Sequence, residues 1–95
     1  MLVELDGAAI RSERDFHEQL AKKLEFGPYY GRNLDALWDR LSADVERPVR
    51  LVWRDSHVSR QALGGRFDDI VVVLRRVVAQ DEGFGWTDRF EFELV

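Results

Sequence analysis

Three strand-like segments, each separated from the next by two helical patterns, restrict this chain more than any other feature. They are LVEL at residues 2–5, VRLVW at 49–53 and RFEFELV at 89–95. Strands so distant cannot be joined by tight hairpins. With helices between them, they pair in parallel through right-handed crossovers. The predicted fold is therefore α/β: a single small domain with a three-stranded parallel sheet and four helices. Ninety-five residues suffice for one modest core, and the absence of cysteine excludes disulfides and thiolate chemistry.

The helices follow from apolar spacing and end signals. Asp6-Gly7 marks a turn after the first strand. Ser12 offers an N-cap with Asp15 three places on, and Phe16, Leu20 and Leu24 form a stripe that Gly27-Pro28 closes. Asn33 caps a second helix running to about Leu41, with Leu34, Leu37 and Leu41 inward. Ser56 caps a short third helix, broken at Gly64-Gly65. Residues 67–83, FDDIVVVLRRVVAQDEG, set strand propensity at Val71–Val73 against a helical stripe of Phe67, Ile70, Leu74, Val77 and Val78. The stripe and the length favour a fourth helix. Trp53 and Trp86 read as packing residues, His17 as a helix-surface residue and His57 as a loop residue. Gly83-Phe84-Gly85 reads as a turn, with Glu82, Asp88, Glu91 and Glu93 solvated.

Charge excludes more than it suggests. The chain carries a formal −4, yet residues 47–76 hold seven arginines against three aspartates. Those arginines are spread over a strand, a loop and a helix without interleaved aromatics, which reads as a solvated surface rather than a nucleic-acid interface. No segment approaches the roughly 20 apolar residues of a membrane span, and MLVELDG has no basic leader region. The expectation is a soluble, cytoplasmic protein with no cofactor.

One stretch resists a purely structural account. In GPYYGRNLDALWDRLS, residues 27–42, a helix with its leucines inward presents Asp35, Trp38, Asp39 and Ser42 on a second stripe, roughly 120° around the cylinder at about 100° per residue. Like charges at i, i+4 are mildly destabilising. Three readings compete on the residues alone. Trp38 folds onto the core and the acids are solvated; or the two carboxylates chelate a divalent cation for hydrolysis; or the stripe binds a basic protein. A chelate has too few oxygens for a dedicated calcium site, and the only histidines, His17 and His57, belong to distant segments. Tryptophan, tyrosine and acids together are a composition suited to a protein interface.

PYYGRNLDALWDRLSADVERP resembles the signature of the barstar family, intracellular inhibitors of secreted bacterial ribonucleases. The opening strand and turn, IRSERDFHEQL, VRLVWRD and the RFEFELV terminus fall in the same order, so the resemblance covers essentially the whole chain, residues 1–95, as one barstar-like inhibitor domain. It implies no catalysis and no metal. Instead, the second helix and its preceding loop plug the active site of a guanyl-specific ribonuclease in a 1:1 complex, with carboxylates mimicking RNA phosphates. Carried over, Asp39 enters the phosphate pocket, Asp35 pairs with a second donor, and Tyr29 stacks on the catalytic histidine. Trp38 then packs at the rim, Asn33 and Ser42 supply neutral hydrogen bonds, and Gly31, Ala43 and Glu46 complete the contact surface. An immunity protein against a different toxin nuclease is the alternative. The chain departs from the family pattern at Arg32 and Arg40, at Ser42 for a threonine, at Asp44 for an aromatic contact and at Arg76 for an acid. These changes imply a partner with a less basic rim.

Overall fold

The computed structural model describes residues Met1–Val95. Its sheet has strands β1 (Leu2–Asp6), β2 (Val49–Arg54) and β3 (Phe90–Leu94) in the order β1-β2-β3, both pairs parallel as predicted. Val3 sits opposite Leu51, and Leu51 opposite Phe92. Four α-helices connect and cover them: α1 (Glu13–Leu24), α2 (Leu34–Asp39), α3 (Ser56–Leu63) and α4 (Gly65–Gly83). A 3-10 turn follows β1 at Gly7–Ala9, and a π turn extends α2 at Arg40–Asp44.

All helices lie on one face of the sheet. Val3, Leu5, Val49, Leu51, Trp53 and Phe90 point to that side and share a core with Phe16, Leu20, Phe67, Ile70, Leu74 and Val77. The other face is polar and open, with Glu4, Arg50, Arg54, Glu91 and Glu93 exposed. Val52 is its one buried residue. It stands between Glu4 and Glu93 in register, and those two acids are ion-paired with Arg54 and Arg50 of the same strand.

Local chemistry sets the helix ends. Ser12 Oγ accepts the Asp15 N–H at 3.1 Å, while Asp15 reaches back to the Arg11 N–H, one residue before the cap. The first helix stops at Glu25 rather than at Gly27-Pro28. Glu25 takes a left-handed conformation (φ 55°), and the Phe26 N–H donates to Ala21 O, which turns the Phe26 ring into the core. Ser56 does not cap α3 as the sequence suggests; it is the first helical residue. A left-handed Asp55 (φ 50°) precedes it, and the Ser56 N–H and Oγ both donate to Val95 O, fastening the C-terminus. In α4 the apolar spacing prevails over β-branched propensity: Val71 and Val73 are buried within a helix that leaves Val72 exposed.

One glycine is required by contact. A Cβ on Gly7 would collide with the carbonyl oxygens of Arg54 and Asp55, because the 3-10 turn lies directly against the end of β2. Ser59 Oγ donates to Gly7 O at 2.8 Å and accepts from Trp53 Nε1 at 3.1 Å, which joins α3, β2 and the turn.

Candidate functional site

Asn33 starts α2 in an extended conformation, and its Oδ1 accepts the Ala36 N–H at 2.8 Å. Its Nδ2 donates to Gly31 O at 3.4 Å, so most of the amide that the family resemblance assigns to a partner already holds the loop and helix together. Leu37 and Leu41 are fully buried, which turns Asp35 and Asp39 outward and leaves Trp38 half-buried between them. Beyond Asp39 the chain widens into the π turn instead of continuing as an ordinary helix to Leu41. Gln80 Nε2 from α4 donates to Ser42 O at 3.2 Å, Ser42 is half-buried, and Ala43 and Glu46 are exposed.

The loop before α2 is anchored from below. His17, expected on the helix surface, is fully buried. Its Nε2 lies 3.1 Å from a Glu13 carboxylate oxygen and its Nδ1 2.6 Å from the Tyr30 hydroxyl. A carboxylate only accepts, so Nε2 carries the proton, and in the neutral ring Nδ1 accepts from Tyr30. Burial pushes the His17 pKa down and outweighs the contact with Glu13 that would raise it. Burial likewise raises that of Tyr30, keeping its hydroxyl a donor. With Tyr30 turned inward beneath α1, its neighbour Tyr29 is 91% exposed at the lip of the loop. Arg40 is part of the same anchor: Nη1 donates to Phe26 O at 2.9 Å and the guanidinium lies over the Phe26 ring. Its charge is thus turned partly away from the outer stripe.

The acids of that stripe are unpaired. Ion pairs engage Glu4, Glu13, Glu18, Asp44, Asp69, Asp81 and Glu93, but none involves Asp35 or Asp39. Arg76 of α4 covers the Trp38 ring that stands between them, 4.4 Å from its centroid. No cleft of the surface is lined by Asp35, Trp38 or Asp39. The face is therefore not a pocket that could enclose a small molecule. No three His, Asp or Glu side chains converge as a metal site would need, so an Asp35–Asp39 chelate has no third protein ligand.

A buried ion pair that the sequence does not announce joins Arg47 to Asp81. Asp81 is fully buried and accepts from Arg47 Nε (2.8 Å) and Nη2 (3.0 Å) and from the Phe90 N–H (2.7 Å), while Arg47 Nη1 donates to Val45 O. Burial alone would raise the Asp81 pKa; the guanidinium and the backbone N–H together hold it below the usual carboxylate value. A signal was present, since Asp81 continues the inward spacing of Ile70, Leu74 and Val77. Its partner lies 34 residues away and has no local signature. Trp53 is core, Trp86 stays exposed in the α4–β3 loop with Arg47 over its ring rather than packing into the core, and His57 lies exposed on α3 rather than in a loop.

Comparison with known proteins agrees with this architecture. Residues 1–93 match the family model described as Barstar (barnase inhibitor). A curated Bacillus subtilis (strain 168) protein, "Putative ribonuclease inhibitor YrdF", is 41% identical over 78 residues, which cover 82% of this chain and 84% of that protein. No helix here is long and apolar enough to cross a membrane. With the matched sequence spanning both terminal strands and the α2 face between them, the chain belongs to the barstar family.

Proposed function

We propose that the chain is a protein inhibitor, without catalytic activity of its own, that binds a secreted guanyl-specific ribonuclease 1:1 and protects the producer's cytoplasm. The observation that carries this reading is the pair of exposed, unpartnered carboxylates, Asp35 and Asp39, flanking Trp38 on an open face. In the free protein they repel one another mildly at i, i+4, and the helix dipole offsets this for Asp35 better than for Asp39. Their arrangement makes sense when cationic groups of a partner receive them.

A ribonuclease active site holds RNA phosphates with cationic side chains, so it supplies such groups. Asp39 accepts charge-assisted hydrogen bonds in the phosphate pocket and Asp35 meets a second donor at the entrance. Tyr29, displayed at the lip of its loop, stacks over the catalytic histidine, and Trp38 excludes water at the rim. Gly31 and Asn33 fix the loop against α2, while Ser42, Ala43 and Glu46 extend the contact along the π turn. Burying each acid favours binding only where a well-aligned partner meets it.

The test is RNA cleavage by a panel of secreted guanyl-specific ribonucleases, basic and acidic, titrated with the protein in the presence of a chelator. Activity that falls linearly to zero at one equivalent supports the reading. No inhibition across the panel, or inhibition only of a nuclease of another class, contradicts it.

A further inference from the structure

The α4–β3 loop, Phe84–Arg89, presents two exposed aromatic rings beside the π turn. Phe84 is 62% exposed and Trp86 41%, and their rings stack at 5.0 Å with 32° between planes. Exposed neighbouring aromatics are unusual on a small monomeric surface. Trp86, Thr87 and Asp88 line an open cleft of about 480 Å³ together with Ser42 and Ala43 of the π turn, Val45 and Arg47. Two of these residues, Ser42 and Ala43, belong to the proposed binding face, so cleft and α2 form one continuous surface.

The loop is held in place rather than loose. The Trp86 N–H donates to Asp81 O at 3.3 Å, Arg89 Nε donates to Trp86 O, and Gly85 turns the chain at φ 69°. Arg47 lies against the Trp86 ring, 5.7 Å from its centroid. Because Asp81 neutralises that guanidinium, the one uncompensated charge lining the cleft is the exposed carboxylate of Asp88. Asp88 takes part in none of the protein's ion pairs.

We infer that this cleft is a second contact for the ribonuclease that α2 blocks, and that it receives an arginine or lysine from the enzyme's rim. The aliphatic stem lies along Trp86 while the charge meets Asp88. The inference rests on the inhibitor reading and adds a specificity site to it. Trp86 is a pre-positioned aromatic anchor of the kind that dominates interface energetics, and Asp88 steers the approach of the cation.

The experiment uses a guanyl-specific ribonuclease from the panel that the wild type inhibits, and compares Trp86→Ala, Asp88→Lys and Asp39→Ala with it. Trp86→Ala should raise the dissociation rate about thirty-fold, the range of an interface anchor. Asp88→Lys should slow association, with the difference vanishing at high salt. Asp88 is exposed and unpaired, so its variant stays decisive even where Trp86→Ala weakens the fold. Wild-type kinetics in both variants while Asp39→Ala has lost inhibition would overturn the cleft and leave the α2 reading intact. Wild-type behaviour in all three, or no ribonuclease inhibited by the wild type, overturns both.

Discussion

An exposed carboxylate in a free protein gains nothing from being near another. Asp35 and Asp39 are legible in the sequence because two acids at helical spacing around a tryptophan have no structural purpose that the chain itself supplies. The role of Arg40 is not legible there, since its donation to the Phe26 carbonyl depends on how the loop folds over α2. Arg76 lies between these cases. It follows Ile70 and Val73 along α4, but only packing places it above Trp38. The guanidinium thus stands over the ring between the two acids, where it opposes a strongly basic partner. Arg76→Glu should therefore speed association with a strongly basic guanyl-specific ribonuclease at low salt by about tenfold, in line with electrostatic steering. Stopped-flow association rates at two ionic strengths test this, and an unchanged or slower rate contradicts it.

At the scale of elements, the strands, helix order and inward stripes follow from periodicity, whereas the joints do not. The π turn after Asp39 has no apolar pattern of its own. Gln80 of α4 donates to Ser42 O within it, a contact across 38 residues that no local pattern announces. His17 was misplaced for the same reason: its position on α1 is at the margin of the stripe, and the loop residue Tyr30 is what covers it. The Arg47–Asp81 pair ties the β2 entrance to the end of α4 and, through the Phe90 N–H, to the start of β3. Removing the carboxylate leaves a nearly buried guanidinium unpaired. Asp81→Ala should thus destabilise the protein by about 3–5 kcal/mol, measured by denaturant unfolding monitored through the buried Trp53. A loss below about 1 kcal/mol would mean that solvent reaches Arg47 freely.

The molecule as a whole couples its fold to acidity at two buried points. The folded-state pKa of His17 lies below its unfolded value because of burial, so the unfolded chain binds the proton first. The stability this contributes is present above about pH 6.5, the unfolded value, and is lost as pH falls toward the depressed folded value. Asp81 is also depressed, so its contribution is present above the unfolded carboxylate range and is lost at still lower pH. Urea midpoints should therefore decline from pH 7 to pH 5, and His17→Gln should flatten that part of the profile whatever its effect on absolute stability. A wild-type profile that is flat over this range would contradict the neutral-histidine anchor. Because that anchor bonds to Tyr30, it holds in place the loop that displays Tyr29, and the proposed binding face depends on a polar network that it does not itself contain. The most direct test of the proposed function is the dissociation constant of the wild type and of Asp39→Ala for an inhibited guanyl-specific ribonuclease, with both proteins shown to be folded. Loss of about 2–5 kcal/mol of binding in the variant is the predicted result, the range for truncating one side of a buried charge pair. Equal affinity would contradict the account, because the α2 carboxylates would then not be what fills the enzyme's phosphate site.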